Sequence, residues 1–316
     1  MKGIRRAPST PTDRVVFGAG AALAAVSVAG WMGGVWWGFD AFSHFRVQYV
    51  QLCLPFIGLA LWRRKNRQAI FFATLAALNY AVVLPFYLGR PAPAAGPSVR
   101  AMLVNLNVEN RRTERVTSAV RRADPDLLLF EEATPAWAER LAPLIAAYPY
   151  RVEALRDDPF GILLLSRFPL KNGRVERFGS TGLPVVAAEV RTPFGDFAFY
   201  GVHAPPPLNA RYVRRGRAQL AALAEAIRTQ RLPAVTMGDL NASPWSRCFV
   251  RFRRASGLVD SEKGFGFQPT WPVRPGFFRI PLDHLLHSPS IEIRQRGTGT
   301  ETGSDHLPLC VDFVLP

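Results

Sequence analysis

The chain has 316 residues, of which 48% are hydrophobic and 20% are charged. This composition excludes a largely disordered protein, because it supplies enough apolar surface to form a core or to enter a membrane. The 39 Lys and Arg residues outnumber the 24 Asp and Glu residues, which gives a formal net charge of +15. The excess predicts attraction to anions such as phosphates, nucleic acid or acidic lipid, with a general Arg-rich bias as the alternative explanation.

The sequence lacks the patterns of several common sites. Its cysteines, Cys53, Cys248 and Cys310, are too few for a disulfide framework and do not have zinc-ligand spacing. A bridge between Cys248 and Cys310 stays open as an alternative. The sequence has no internal repeat and neither a GxxxxGK(S/T) nor a GxGxxG phosphate loop.

Three apolar segments in the N-terminal region predict transmembrane helices, at residues 15–39, 47–62 and 68–89. The first has no charged side chain and is long enough to span a bilayer. The second is short for a span, so a re-entrant or interfacial helix is its alternative. The third carries Asn79 and Pro85, which neighbouring helices can accommodate. We therefore predict a membrane region at residues 1–89 rather than a cleaved signal peptide.

Basic residues flank these segments unequally. They precede the first segment and separate the second from the third, at Lys2, Arg5, Arg6, Arg14, Arg63, Arg64, Lys65 and Arg67. Because short cytoplasmic loops carry an excess of Lys and Arg, both groups are predicted to be cytoplasmic. Three spans then place the chain after Gly89 outside the cytoplasm. The sequence predicts an integral inner or plasma membrane protein with an extracytoplasmic C-terminal domain.

A segment rich in Pro, Ala and Gly, residues 90–98, is predicted to link the membrane region to a globular domain at residues 99–316. In that domain short β-type runs alternate with helical patterns at residues 112–123 and 209–230. The predicted strands are residues 102–108, 127–130, 162–165, 185–190, 197–202, 234–237, 282–286 and 309–314. A hairpin signal at residues 192–196 disfavours a purely parallel sheet. The predicted class is α/β or α+β.

Polar side chains recur where the predicted strands end. They are Asn107, Glu132, His203, Asp239, Asn241, Asp283, Asp305 and His306. Each residue alone has an ordinary explanation, such as a turn or a helix cap. Together they supply the carboxylates, amides and imidazoles that hard-cation phosphoester chemistry requires, with no Ser or Cys nucleophile.

These residues lie in motifs that occur in the order of a known superfamily, namely LNVEN, DPDLLLFEEA, YGVHAP, GDLNASP, PLDHLL and GSDHLPL. Because of these motifs and their order, the chain resembles a membrane-anchored bacterial-type member of the endonuclease/exonuclease/phosphatase superfamily, which includes deoxyribonuclease I. The resemblance covers about residues 99–316. It implies a four-layer α/β sandwich, in which two packed mixed β-sheets are covered by helices.

The resemblance also implies a metal site. Glu132 would bind a divalent cation, with Asn107 contributing to the same site or orienting its ligand, and Asp305 would be the other carboxylate near the cation. The expected cofactor is Mg²⁺, with Mn²⁺ as the alternative. Such a cation would polarise a phosphoryl oxygen and stabilise charge on the leaving oxygen.

The remaining matched residues are implied to perform the hydrolysis. Asp239 corresponds to the carboxylate that orients or deprotonates the attacking water, and Asn241 to an amide that hydrogen-bonds the phosphate. Asp283 and His306 correspond to an acid–imidazole pair beside the phosphate. His203 corresponds to a second imidazole, which donates to a phosphate oxygen or helps to protonate the leaving group.

Three neighbouring residues are predicted to lie outside the catalytic set. Glu131 alternates to the other strand face from Glu132, and His284 and His287 are interpreted as structural. The aromatic segment at residues 263–280 is the candidate specificity loop, with packing beneath the sheet as its alternative. The predicted activity is that of a phosphodiesterase or nuclease. The alternatives are a phosphohydrolase acting on phospholipid or inositol phosphate and, less favoured, a non-catalytic membrane scaffold.

Overall fold

The computed structural model describes residues 11–89 and 95–316. The chain divides into two compact units, one ending at Leu84 and the other beginning at Pro85. Lys2, Arg5 and Arg6, whose charges entered the topology prediction, lie outside the described residues, as does part of the predicted linker, residues 90–94.

The first unit is helical. Its elements are α1 (Pro11–Trp31), α2 (Trp37–Asp40), a 3-10 turn (Ala41–Phe45), α3 (Arg46–Trp62) and α4 (Asn66–Val83). Within residues 11–89, three segments are long and apolar enough to cross a membrane, at Arg14–Trp31, Trp37–Trp62 and Asn66–Phe86. Large apolar side chains also cover much of the unit's outer surface, for example Phe17, Leu54 and Ile70.

The boundaries of these segments differ from the apolar runs in the sequence. Helix α1 ends at Trp31 instead of continuing to residue 39, because Gly33 and Gly34 follow and glycine weakens a helix. The chain becomes helical again at Trp37 and continues to Trp62, a stretch of 26 residues. The second segment therefore has more than the about 20 residues that a spanning helix needs.

Buried polar side chains connect the long helices of this unit. The Arg46 guanidinium of α3 donates through Nη1 to the Ser27 carbonyl oxygen at 3.1 Å and to Asn79 Oδ1 at 2.9 Å. Asn79 Nδ2, from α4, donates to Ser27 Oγ of α1 at 2.8 Å. The amide of Asn79 thus joins all three helices in the interior of the unit.

The second unit is built on two six-stranded sheets within residues 95–316. The strands are β1 (Val99–Asn105), β2 (Leu127–Glu131), β3 (Tyr150–Ala154), β4 (Ile162–Ser166), β5 (Leu170–Glu176), β6 (Val185–Thr192), β7 (Gly195–Val202), β8 (Ala234–Asp239), β9 (Val259–Asp260), β10 (Asp283–His287), β11 (Glu292–Thr298) and β12 (Leu309–Val314). The helices are α5 (Thr113–Ala123), α6 (Pro135–Arg140), α7 (Ala142–Ile145), α8 (Ala210–Arg228) and α9 (Arg247–Ser256).

Both sheets are mixed. The first has the strand order β11-β12-β1-β2-β4-β3 and the second has the order β5-β6-β7-β8-β10-β9. The pairs β1–β2 and β7–β8 are parallel, and the other pairs described are antiparallel. Strands β6 and β7 form the expected hairpin, in which Thr192 pairs with Gly195.

Strand alternation divides the apolar side chains into three layers of core. One set, including Leu103, Leu129 and Phe199, fills the space between the sheets. A second set packs the outer face of the first sheet against α5 to α7, and a third packs the outer face of the second sheet against α8 and α9. Because successive strand residues point to opposite faces, each sheet buries both of its faces. The domain is a four-layer α/β sandwich, which confirms the predicted fold class.

Cys248 and Cys310 form no disulfide. Cys310 packs with the helical layer of the first sheet, whereas Cys248 packs with that of the second. Two sheets separate these layers, so the bridge left open by the sequence does not form.

Candidate active site

Two carboxylates meet where β8 ends and β10 begins. Asp239 is the last residue of β8 and pairs in register with Asp283, the first residue of antiparallel β10. The backbone of β8 requires Gly238 at φ +152°, because a Cβ there would lie 1.9 Å from the Val202 carbonyl oxygen. This glycine lets β8 approach β7 closely and fixes the position of Asp239.

His306 lies against both carboxylates. Its Nδ1 is 2.9 Å from Asp283 Oδ2, and its Nε2 is 3.9 Å from Asp239 Oδ2. Burial lowers the pKa of His306, but the contact with Asp283 and the charges of Asp239 and Asp305 together outweigh burial and raise that pKa to about 10. The pair therefore presents an imidazolium to the space beside Asp239.

His203 approaches Asp239 from the end of β7. Its Nε2 is 3.6 Å from Asp239 Oδ2, and the Phe160 ring lies 5.4 Å from its ring. Burial and the nearby His306 lower the pKa of His203 to about 4. The second imidazole is therefore neutral at neutral pH, and the two histidines present different charges to the same carboxylate.

Asn241 holds Asp239 in place. Its backbone N–H donates to Asp239 Oδ1 at 2.7 Å, and its side-chain Nδ2 donates to Asp239 Oδ2 at 3.2 Å and to the Ala204 carbonyl oxygen at 2.9 Å. Asn241 adopts φ +49°, a left-handed conformation that Asn tolerates better than most residues. A phosphate would have to compete with these two acceptors for the amide.

Asn107, Glu132 and Asp305 form an oxygen-rich group on three loops. Asn107 Nδ2 donates to Asp305 Oδ1 at 2.7 Å, and Val108 N–H donates to Glu132 Oε2 at 3.0 Å. Asn107 and Glu132 have φ values of +57° and +55°. Such left-handed backbone conformations are costly for residues other than glycine and often occur at functional sites.

The same group is electrostatically linked to the histidine side of the site. Burial raises the pKa of Glu132, and the Asp305 charge raises it further, whereas His306 lowers it. Burial also raises the pKa of Asp305, but His306 and hydrogen bonds from Asn107 and Trp271 outweigh burial and lower it. Two carboxylates and an amide are the oxygen ligands that a hard divalent cation prefers, so these residues fit such an ion.

The eight predicted residues thus converge at one end of the sandwich. Asp239, Asp283, His203 and His306 form a contiguous cluster, and Asn241 hydrogen-bonds into it. The charge of Glu132 also contributes to raising the pKa of Asp239, which places the oxygen-rich group within electrostatic reach. The roles assigned to the individual residues stay predictions.

Sequence reasoning missed Glu131 and Asn105. Glu131 does point to the strand face opposite Glu132, as expected, but there it is buried and its Oε1 accepts the Asp239 N–H at 2.9 Å. Asn105 Nδ2 donates to Glu132 Oε1 at 3.1 Å. Strand alternation correctly separates Glu131 from Glu132. It gives no information about β8, which is far away in the sequence and whose backbone contacts Glu131.

The aromatic segment contributes two further residues. Trp271 Nε1 donates to Asp305 Oδ2 at 2.9 Å, and its ring lies 6.3 Å from that of His306. Thr270 Oγ1 accepts from the Asp283 N–H at 3.3 Å. Trp271 is half-buried at the site rather than packed beneath the sheet. Its position in an aromatic loop was the signal available in the sequence.

Solved structures share this fold. Danio rerio TDP2 complexed with single-strand DNA product is 15% identical, with a TM-score of 0.60, over 69% of this chain and 99% of that chain. The human Nocturnin catalytic domain with bound sulfate is 18% identical, with a TM-score of 0.57, over 70% and 96%. Sphingomyelinase C from Streptomyces griseocarneus is 15% identical, with a TM-score of 0.51, over 69% and 99%. No curated protein sequence matches the chain significantly.

A family model gives the assignment that these distant structures cannot give by themselves. The model of the Endonuclease/Exonuclease/phosphatase family matches residues 102–306. That segment begins in β1, ends at His306 and includes each of the eight converging residues. Because most of the chain and its whole polar cluster fall within the match, this protein belongs to the endonuclease/exonuclease/phosphatase family and is a hydrolase of phosphoester bonds.

Proposed function

We propose that the protein is a membrane-anchored, divalent-cation-dependent phosphodiesterase that cleaves a P–O bond by in-line attack of water. The proposal assigns residues 1–89 to membrane anchoring, residues 90–98 to a linker and residues 99–316 to catalysis. Its main support is the position of one carboxylate, because Asp239 Oδ2 lies 3.6 Å from His203 Nε2 and 3.9 Å from His306 Nε2. An acceptor between two imidazoles is suited to bind and deprotonate a water beside a phosphate.

Glu132, Asn107 and Asp305 would hold Mg²⁺, or Mn²⁺ in its place. A cation there would polarise a phosphoryl oxygen and offset the charge that develops on the oxygens during cleavage. This assignment is supported by the position of the three residues on loops of one rigid scaffold. Asn107 and Glu132 also have left-handed backbone conformations. We expect Glu132→Gln to raise the cation concentration needed for half-maximal activity.

Each remaining side chain has a defined task in the proposed reaction. Asp239 accepts a proton from the attacking water while the oxygen of that water forms the new bond to phosphorus. Asn241 keeps the Asp239 carboxylate in its orientation through two hydrogen bonds. Asp283 orients the His306 ring, whose other nitrogen faces the substrate.

The leaving oxygen and the phosphate also need hydrogen-bond donors. His203 carries a proton on one ring nitrogen while neutral, and its low pKa favours donation to a phosphate oxygen over full proton transfer. The leaving oxygen takes its proton from a donor at the site or from water as the P–O bond breaks.

The first experiment is an assay of the full-length protein purified in detergent. Activity on bis-p-nitrophenyl phosphate is expected with Mg²⁺ or Mn²⁺, is expected to vanish with EDTA and is expected to return when the cation is restored. Absence of hydrolysis of this compound and of natural phosphoesters across a range of cations would favour the non-catalytic scaffold instead.

The substrate class is proposed to be nucleic acid. The net charge of +15 and the similarity to a TDP2 structure complexed with single-strand DNA product favour a polyanion. The test compares plasmid DNA, RNA, phosphoinositides and sphingomyelin as substrates for the same preparation. Turnover of lipid substrates alone would reject the nuclease assignment and leave the metal-dependent hydrolase assignment intact.

One observation favours the alternative of a phospholipid- or inositol-phosphate-directed phosphohydrolase. Phe277 and Phe278 are exposed at 46% and 52% on the loop that also carries Trp271 at the site. Exposed aromatic side chains beside a phosphoester site are suited to entering a lipid surface. The similar fold of a sphingomyelinase C is consistent with this second candidate.

The proposed location is the inner or plasma membrane, with the catalytic domain outside the cytoplasm. The apolar outer surface of the helical unit and the basic residues around Arg63 and Lys65 support this topology. An alkaline phosphatase reporter fused after Gly89 is expected to be active, because that enzyme requires the extracytoplasmic compartment. Activity of a cytoplasmic reporter alone at this position would reject the orientation.

A further inference from the structure

A second group of metal-ligating side chains lies on the opposite face of β10 from Asp283. Asp260 ends β9, Glu262 follows in the next turn, and His284 occupies the second position of β10. Their ligand atoms lie within 4.8 Å of one another. The three residues are 4%, 1% and 0% exposed, so the cluster is an interior feature and not an acidic surface patch.

The His284 ring is oriented as a ligand. Its Nε2 lies 2.8 Å from the Ala242 carbonyl oxygen, which can only accept, so Nε2 carries the ring hydrogen. The lone pair is therefore on Nδ1, which is buried and has no hydrogen-bond partner among the described residues. A backbone carbonyl that fixes the far nitrogen is the usual support for a metal-binding histidine.

Asp260 and Glu262 each have one carboxylate oxygen that accepts a hydrogen bond from a backbone N–H. Glu262 Oε1 accepts the Gln268 N–H at 2.8 Å, and Asp260 Oδ1 accepts the Glu262 N–H at 3.0 Å. Glu262 Oε2 is buried and has no hydrogen-bond partner within residues 11–89 and 95–316. Asp260 and Glu262 together carry two buried negative charges, whereas Arg296 supplies one positive charge beside them.

Arg296 directs two of its nitrogens to partners other than the three proposed ligands. Its Nε donates to Ser261 Oγ at 3.0 Å, and its Nη1 donates to the Gln268 side chain. Its Nη2 is 3.9 Å from Glu262 Oε2, which is beyond hydrogen-bond distance. The guanidinium thus forms an ion pair with Glu262 but donates no hydrogen bond to Glu262 Oε2, which keeps that oxygen available as a ligand.

We propose that Asp260, Glu262 and His284 bind a structural divalent transition-metal ion of the zinc type. Imidazole nitrogen and carboxylate oxygen are both zinc ligands, so three ligand atoms of these types suit such an ion, with a water molecule as the fourth ligand, whereas Mg²⁺ and Ca²⁺ prefer oxygen ligands alone. The ion balances the charges of the two carboxylates. It also ties β9 to β10 and fixes the start of the segment that carries Thr270 and Trp271 to the active site.

The test measures metal binding by the full-length protein in detergent, with Glu132→Gln and Asp305→Asn present throughout to remove the predicted catalytic ligands. After chelation and dialysis, Zn²⁺ alone is added and bound metal is counted by mass spectrometry. Co²⁺ in its place gives visible absorption that reports nitrogen and oxygen ligation. One ion per chain and a raised unfolding temperature are expected.

Conservative variants then identify the ligands. His284→Gln keeps a donor for the Ala242 carbonyl but loses the imidazole ligand, and Glu262→Gln keeps the side-chain volume. Either change is expected to weaken Zn²⁺ binding by at least about 100-fold. The matched control is His287→Gln, since His287 is buried on the same strand but points its Nδ1 to the Ser288 carbonyl oxygen. The control is expected to bind one ion.

Two results would overturn the proposal. The first is the absence of any stoichiometric ion in the Glu132→Gln/Asp305→Asn protein, and the second is undiminished Zn²⁺ binding after both His284→Gln and Glu262→Gln. Circular dichroism of the variants verifies that lost binding does not reflect unfolding.

Discussion

The helical unit and the sandwich both bury polar side chains, but they use them differently. In the helical unit Arg46, Asn79 and Ser27 satisfy one another across three helices, at distances between 2.8 and 3.1 Å. In the sandwich, Asp239 lies near a second carboxylate, Asp283, in the interior, and burial together with that neighbour raises its pKa.

The difference matches the proposed division between polar groups that stabilise a fold and polar groups that take part in the reaction. A mutually satisfied network lowers the free energy of the folded state and needs no further partner. Crowded carboxylates and imidazoles cost stability in the folded protein unless a cation or substrate completes the site. Substitutions in the two regions should therefore affect different observables.

The largest effect is expected from Asp239→Asn. The amide cannot accept the water proton, so kcat should fall by about 10³-fold or more. Stability should be unchanged or higher, because a buried charge is removed. The measurements are kcat on bis-p-nitrophenyl phosphate and the thermal unfolding temperature.

Asp124→Asn is the matched control for this change. Asp124 is exposed, has φ +48° and forms a surface ion pair with Arg167. Asn tolerates that conformation and a surface pair contributes little, so both observables should stay near wild type. A near-wild-type rate of the Asp239→Asn enzyme would show that Asp239 does not accept the proton of the attacking water.

Asp283→Asn should have the next largest effect, a decrease in kcat of about 10²-fold, because His306 loses its charged partner. The double variant Asp283→Asn/His306→Ala should be no slower than His306→Ala alone, since the two residues act as one unit. Additive losses in this cycle would contradict the pairing.

Gly238→Ala should lower both stability and activity, whereas Asp239→Asn should lower activity alone. A Cβ would lie 1.9 Å from the Val202 carbonyl oxygen and 2.8 Å from Glu131 Oε1, so β8 must shift. We expect a loss of about 3 kcal/mol in the free energy of unfolding.

Gly297→Ala supplies the control for that strain. A Cβ at Gly297 would meet no atom within 4 Å, so the same change should alter the free energy of unfolding by no more than about 0.5 kcal/mol. Both are measured by denaturant unfolding of the full chain in detergent. Equal effects at the two glycines would show that the close approach of β8 to Val202 does not matter.

The smallest effect is expected from Asn79→Leu in the helical unit. It removes the hydrogen bonds to Arg46 and Ser27 and should destabilise that unit by about 1 to 2 kcal/mol, with kcat unchanged. Helix loss is followed by circular dichroism during SDS titration. Gln51→Leu, at an exposed position of α3, is the control and should unfold like wild type. A fall in kcat with unchanged stability would mean that Asn79 has a role in the reaction.

Much of the fold was predictable because the interior strands are strongly apolar. Strands β2, β4 and β8 are buried along their whole length and stand out as short apolar runs. Strands β3, β5 and β11 were missed, since they include exposed polar residues such as Lys171, Glu153 and Glu292. Their pairing depends on partners far away in the sequence.

The sequence by itself determined which side chains are available: carboxylates, amides and imidazoles that follow apolar strands, in an order that resembles one superfamily. It also determined the charge and apolar character of the N-terminal segments. These properties are local, because they depend on residue type and short-range spacing.

Only the tertiary structure decided which groups meet. Glu131 accepts the Asp239 N–H because β8 passes behind β2 in the other sheet, a contact between residues 108 positions apart. Adjacent Asp283 and His284 enter two different clusters because alternate strand residues face opposite sides of the sheet. Distances of a few ångströms between remote residues depend on how the two sheets pack, and that packing results from the whole core and not from any single segment.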